Sequence, residues 1–440
     1  MKARLVPIFF REDKTGKFES QSEKLRELLG DVATLLPPLA LGDPVPECDG
    51  VIFPEILGEA YRRAEDFRRI GKPILIVTSE FGTFSMWDWE IMNFLGGEGV
   101  ATLAPYNLEQ ARTYCRMVAV RSRLARSKLL VFQDNPGEGF QPEIFKCFFW
   151  WEEECVRRLK EKFGVTVERR SLRELGKKAA AYSDADAAAE WRKWDYPAAP
   201  SFTERMGQNA AKLYLALRDE IDSDDIIGMG TNCLNESRSC NTTPCLAWDR
   251  LLEERDMMCA CEGDTVSLAT MCMLYHSLGK PLMMTNIYPF LMGDAATKHE
   301  KIPGFPEILD NPGDHVLLAH CGYFGLLPRR FSSQWLVREK ALAIVDPDAH
   351  AFDARMRTGP VTLSKVNSSM DRLMSVGAKL KGYVQYDDTS DCRNGGVIEV
   401  GDGKIFMDKI YSHHVVLVEG DISTELEAMG KVMGLAVDRF

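Results

Sequence analysis

The chain has 440 residues, of which 45% are hydrophobic and 27% charged, and it carries a formal net charge of -11 with a pI near 5.3. The acidic balance speaks against nucleic acid as a partner, because no basic excess exists to replace phosphate counterions. No apolar run reaches membrane-span length, and the start MKARLVPIFFREDK has too short an apolar stretch and too early a charge cluster for an export signal. The expectation is a cytoplasmic protein with no membrane partner and with its 12 cysteines kept as thiols.

The first third alternates short apolar runs with helix-like segments. Leu5–Phe10 precedes Gln21–Leu29, Gly50–Phe53 precedes Ile56–Ile70, Pro73–Thr78 precedes Ser85–Leu95, and Val100–Leu103 precedes Asn107–Arg126. That pattern predicts a parallel sheet covered on both faces. Such sheets bind ligands at their strand ends, where Glu80 is a pocket candidate. Neither a GxGxxG nor a GxxxxGK[ST] motif occurs here.

A second unit begins after Arg126-Ser127-Lys128. Leu129–Phe132 and Val165–Glu168 read as strands, with a helix over Phe145–Phe163 between them. The aromatic run Phe148-Phe149-Trp150-Trp151 reads as core or as an apolar interface. Ala179–Ala189 is helix-prone surface, Phe202–Asp219 a further helix, and Asp224–Met229 a strand. The following stretch, GTNCLNESRSCNTTPC, is long, polar and irregular, a kind of loop that is usually functional. It leads through a helix-like run, Thr243–Arg255, to Cys259–Asp264, CACEGD. Glu262 and Asp264 there occupy a polar gap before the apolar run Val266–Leu278. An ionised carboxylate in such a gap needs a cation, a donor or a metal. Asp264 equally suits the N-cap of the next helix. Cys233, Cys240, Cys245, Cys259 and Cys261 cluster in sequence but lack the C-x₂-C spacing of zinc sites.

From Pro281 the pattern changes to short strand-like runs punctuated by turns. These are Pro281–Thr285, Asp314–Ala319, Leu342–Val345, Gly359–Ser364, Leu373–Leu380, Gly382–Gln385, Gly396–Val400, Lys404–Asp408 and His414–Glu419. Many short strands of this kind predict an antiparallel barrel or sandwich. The fold class is therefore α/β: an N-terminal α/β domain at 1–127, a central α/β domain at 128–283 carrying CACEGD, and a β-rich, barrel-like C-terminal domain at 284–440.

Seven histidines are present. His320 ends the strand-like HVLLAHCG, and His413-His414 opens VVLVEGD. Neighbouring residues on a strand point to opposite faces, so one of that pair is expected at a given pocket. Glu262, His320 and one of the paired histidines make an oxygen-plus-imidazole set suited to Mn²⁺ or a similar divalent ion.

Three stretches in this order, CACEGD, DHVLLAHCGYFGLLP and SHHVVLVEGDISTELEAMGKVMGL, resemble the L-fucose isomerase and L-arabinose isomerase superfamily, specifically its shorter members. KPILIVTSEFG and LLVFQDNPG fit the same order. The resemblance implies a metal-dependent aldose–ketose isomerase acting on an open-chain monosaccharide or derivative through a cis-enediol. It also implies a homo-oligomer, a trimer or hexamer. Carried over, Glu262 matches the first acidic ligand and acid/base, His414 (less favourably His413) the C-terminal histidine ligand, and His320 the additional histidine of the arabinose-isomerase side. The second acidic position falls on Asn286, 24 residues beyond Glu262. Asparagine can offer a carbonyl oxygen to a metal but cannot accept a proton. Asp294 stands at the wrong spacing to replace it. The alternatives to an isomerase are a sugar epimerase, a non-catalytic sugar-binding protein, and a thiol-based redox or metal-cluster protein using the Cys233–Cys261 group. Arg329-Arg330 and the polar segment Asn232–Thr243 are candidates for selecting a charged substituent.

Overall fold

The structure is a computed structural model that describes the chain except for residues 12–14, 57, 79–85, 136, 139–142, 290–310, 321–322, 325, 340–347 and 386–393. Glu80, Asp294 and the run 342–345 lie outside the described residues. The chain divides into two compact units. One comprises Met1–Ala125, His276–Gly279 and Thr424–Ala436, and the other Arg126–Tyr275, Lys280–Ser423 and Val437–Phe440.

The first unit is an α/β layer. Its strands are β1 (Ala3–Phe9), β2 (Ala33–Leu35), β3 (Leu39–Ala40), β4 (Gly50–Phe53), β5 (Ile74–Ile76) and β6 (Thr102–Leu103). They form a parallel sheet in the order β2-β1-β4-β5-β6, with β3 also paired to β1. Val51, Ile52 and Phe53 are wholly buried, as expected for strands covered on both faces. Phe53 stacks on Phe67 of the helix Ala64–Ile70 at 5.0 Å between ring centroids.

The second unit joins two sheets. β7 (Lys128–Phe132), β8 (Thr166–Arg170), β9 (Ile226–Thr231) and β10 (Met258–Ala260) form a parallel sheet in the order β10-β9-β7-β8. Every residue of β9 is buried. The remaining strands, antiparallel among β11 to β18, are β11 (Leu282–Pro289), β12 (His315–Ala319), β13 (Gln334–Glu339), β14 (His350–Arg355), β15 (Gly359–Val366), β16 (Arg372–Gln385), β17 (Asn394–Glu399), β18 (His414–Glu419) and β19 (Ala436–Arg439). Among the described residues the order is β15-β18-β11-β12-β17-β16, and a further β15–β16 pairing closes the barrel. β19 is added to β16, and β13-β14 form a separate ribbon.

Several elements differ from the sequence-based expectation. Leu373–Leu380 and Gly382–Gln385 belong to one strand, β16, whose register against β17 shifts between Leu380 and Gly382. A local bulge thus looks like a strand break in the sequence. Lys404–Asp408 is not a strand but part of the helix Gly403–Lys409, started by Asp402, whose side chain accepts from Ile405 N–H at 2.8 Å. The helix expected over Phe145–Phe163 is regular only over Glu153–Phe163. The polar segment before Cys245 is not an open loop. Asn232, Asn235, Ser237, Thr242 and Thr243 are all buried, because side chains satisfy the backbone there. Glu236 accepts from the backbone of Asp134 and Asn135 and from Asn232 Nδ2, and Thr243 Oγ1 accepts from His350 N–H.

Candidate metal centre

Parallel pairing of β10 beside β9 delivers CACEGD to the carboxyl edge of the sheet, where α/β folds place their ligands. The chain then turns sharply. Glu262 adopts φ 55° and ψ 20°, a left-handed conformation unusual for a residue with a Cβ. Three contacts hold it there. The indole N–H groups of Trp150 and Trp151 donate to its carbonyl at 3.0 and 2.8 Å, and its own N–H donates to Cys233 Sγ at 3.5 Å. Gly263 follows at φ +61°, where a Cβ would press to 3.3 Å from Val131 Cγ1. Of the two sequence readings of the aromatic run, core or interface, the structure supports core: Phe148, Trp150 and Trp151 are buried.

Asp264 fulfils both of its expected roles. It caps the helix Thr265–Leu278 by accepting from Ser267 N–H and Oγ, both at 2.8 Å. The same carboxylate accepts from Lys365 Nζ at 2.7 Å and pairs with His414 Nδ1 at 2.9 Å. Lys365, on β15, also reaches Ser412 Oγ at 2.8 Å. Asp264 and His414 are completely buried, and Lys365 nearly so. Burial alone would raise the Asp264 carboxyl, but Lys365 and His414 outweigh it and hold it well below the usual carboxylate range. Burial lowers the Lys365 ammonium despite Asp264.

His414 opens β18, and its Nε2 lies 3.6 Å from Glu262 Oε2, an electrostatic contact too long for a hydrogen bond. Burial works against the charged imidazole, yet Glu262 and Asp264 together raise it above its ordinary 6.5. The Glu262 carboxyl, pushed up by burial, is brought below its ordinary 4.5 by His414 and His413. His413 also belongs to the cluster. It lies one residue before β18 begins, so strand alternation does not separate the two rings, and their centroids are 4.2 Å apart. Burial, reinforced by His414, brings the His413 imidazole down to about 4. Trp150 packs on His414 at 4.9 Å and Phe148 on His413 at 5.4 Å.

Glu262, His413 and His414 each offer one ligating atom, and these lie within 4.8 Å of one another. Glu262 Oε2, His413 Nε2 and His414 Nε2 are buried without a hydrogen-bond partner. Leaving such lone pairs unsatisfied is costly, and a cation satisfies all three. The donor set of two imidazoles and a carboxylate suits a transition dication such as Mn²⁺, Fe²⁺ or Zn²⁺ better than Ca²⁺ or Mg²⁺. The Asp264–His414 contact is of the kind by which an outer carboxylate fixes the tautomer of a histidine that binds a metal.

The other expected ligands are placed differently. Asn286 on β11 is the direct cross-strand partner of His414 on one side and of Ala319 on the other, and it is partly buried. Directly opposed residues share a face, so Asn286 flanks His414. His320, just beyond β12, is buried and bonds through its N–H to the Tyr323 carbonyl, but is not a member of the Glu262 group. Arg329 and Arg330 are engaged with Glu253, Asp195 and Asp256. Lys365 was missed from sequence, although Val361, Leu363 and Lys365 fall on one face by strand periodicity. A lysine in that row marks a buried charge.

No family model matches the chain, and no curated protein matches it.

Proposed function

We propose that the chain is a divalent-metal-dependent, cytoplasmic isomerase of open-chain monosaccharides or their derivatives, related to the L-fucose and L-arabinose isomerases. The supporting observation is the meeting of Glu262 from CACEGD with His413 and His414 from SHHVVLVEGD, their buried lone pairs unsatisfied. Those are two of the three stretches that carry the resemblance. Glu262, His413 and His414 would hold the metal, with Asn286 beside them. A bound dication supplies Lewis acidity to the carbonyl and neighbouring hydroxyl of the sugar. Glu262, ionised because the histidines outweigh its burial, would take the proton from the carbon next to the carbonyl and return it to the carbonyl carbon, while the proton of the neighbouring hydroxyl passes to the former carbonyl oxygen. Asp264 holds His414 through Nδ1, and Lys365 balances the charge of Asp264. Phe148, Trp150 and Trp151 wall the cluster with apolar surface.

The test is a screen of aldoses and ketoses in deuterated water with and without Mn²⁺, read by NMR. Deuterium at C1 or C2 with formation of the paired sugar is expected only with metal. Deuterium at C2 without that interconversion would indicate an epimerase. Sugar binding by calorimetry with no exchange for any sugar would favour the second reading, a non-catalytic sugar-binding protein. That reading is supported by Asn286, which denies the site a second carboxylate. A homo-oligomer, trimer or hexamer, belongs to the same proposal, and light scattering that finds only monomer at micromolar concentration would defeat it. The largely internal Phe148–Trp151 run is not its contact surface.

A further inference from the structure

Cys233 follows β9 and Cys261 follows β10, so the pairing of these two parallel strands brings the cysteines side by side. Their sulfurs are 3.0 Å apart in a thiol–thiol contact, and both residues are buried. A disulfide bond of about 2.05 Å requires the sulfurs to approach by only about 1 Å. The Cys233–Cys261 pair is also coupled to the candidate metal centre. Cys261 immediately precedes Glu262, and Cys233 Sγ accepts the Glu262 N–H at 3.5 Å. That contact is one of three that hold Glu262 in its left-handed conformation, the other two being the indole bonds to its carbonyl.

We propose that Cys233 and Cys261 form an oxidisable dithiol, closed to a disulfide by hydrogen peroxide, and that closure displaces Glu262 and weakens metal binding. In the first step one thiol attacks the peroxide O–O bond, giving a sulfenic acid and one water. In the second, the other thiol attacks the sulfenic sulfur, forming the S–S bond and releasing the second water. Two thiols are oxidised, one peroxide is reduced, and no further reactant is needed. Cys233 Sγ then turns toward Cys261 and no longer receives the Glu262 N–H, while the bond constrains the residue next to Glu262. The effect on metal binding rests on the proposed metal centre; the dithiol itself does not.

The experiment treats the full chain with hydrogen peroxide, blocks remaining thiols, and maps peptides without reduction. Hydrogen exchange of the Cys259–Asp264 segment and Mn²⁺ affinity by calorimetry are followed in the reduced, oxidised and dithiothreitol-treated protein. The expected result is a Cys233–Cys261 cross-linked peptide, faster exchange in that segment, and Mn²⁺ affinity lowered by about tenfold or more, the scale of losing an outer contact to a metal ligand. All three changes reverse with dithiothreitol. They are absent in Cys233→Ser, or in Cys261→Ser should the first variant fail to fold. Failure to form this cross-link overturns the proposal, as does a cross-link that leaves both exchange and Mn²⁺ affinity unchanged. If the reduced protein binds no Mn²⁺, the metal reading fails. The cross-link and the exchange of the segment then decide the dithiol proposal by themselves.

Discussion

Glu262 pays for its place with backbone strain of about 1 to 2 kcal/mol, the usual penalty for a left-handed residue that has a Cβ. The indoles of Trp150 and Trp151 make that conformation the bonded one. Because these contacts are to backbone atoms, Glu262→Gln is expected to keep the turn while removing the charge and the proton acceptor. Circular dichroism should be unchanged, Mn²⁺ uptake should weaken, and turnover should fall by about a hundredfold to ten-thousandfold. Normal turnover by a folded Glu262→Gln protein would remove Glu262 from the chemistry. Lys365 makes a different kind of contribution. It is a buried cation whose partner Asp264 is also buried, so Lys365→Met strands a carboxylate and should cost about 3 to 5 kcal/mol in urea unfolding. Adding Asp264→Asn should recover part of that stability, since both charges are then gone. It should not recover tight Mn²⁺ binding, because an amide holds His414 Nδ1 less firmly than a carboxylate does. Equal Mn²⁺ affinity in the double variant and the wild type would show that Asp264 has no part in orienting His414.

At the scale of elements, the pairing of β11 with β18 sets Asn286 directly opposite His414. Asn286→Asp is expected to tighten Mn²⁺ binding by adding a charged oxygen ligand beside a site that holds one carboxylate. Equal calorimetric affinities would place Asn286 outside the metal's reach. Much of this arrangement was legible in the sequence. The apolar runs of β1, β4 and β5 announced a covered parallel sheet, the short runs after Pro281 announced the barrel, and the polar gap in CACEGD announced Glu262 and Asp264. What escaped were features that depend on where a strand begins or how it bends. The expectation that only one of His413 and His414 could serve failed because β18 starts at His414, leaving His413 outside the alternation. The break assigned near Lys381 is a bulge within β16. The aromatic run stayed open between core and interface because nothing local shows that its indole N–H groups answer a carbonyl more than a hundred residues away. Long-range hydrogen bonds of this kind leave no periodicity behind.

For the whole molecule, one buried and one partly buried histidine set the direction of its response to acid, and a third sets the response of the proposed metal site. Burial brings His350 down to about 4, with Asp348 opposing only in part, and burial together with His414 brings His413 to about 4. In the unfolded chain both would titrate near 6.5. The unfolded state therefore binds more protons in this interval, and stability is full above about 6.5 and falls as pH drops toward 4. Each histidine's share is on the order of 3 kcal/mol across that window. His350 sits away from the metal cluster, against Thr242 and Thr243, which makes it the cleaner probe. Urea midpoints of His350→Gln should fall less between pH 7 and about pH 4.5 than those of the wild type, by about the one proton removed. Parallel curves would show that His350 does not titrate as its burial requires. His414 runs the other way. Raised above 6.5, it favours the metal-free fold while protonated, and that contribution is lost as pH rises through its folded value. A dication needs the same imidazole neutral. Mn²⁺ affinity should therefore rise with pH through and beyond 6.5, releasing a proton on binding, and calorimetry in buffers of different ionisation enthalpy would count that proton. An affinity flat from pH 6 to 8 would mean that His414 is not a ligand.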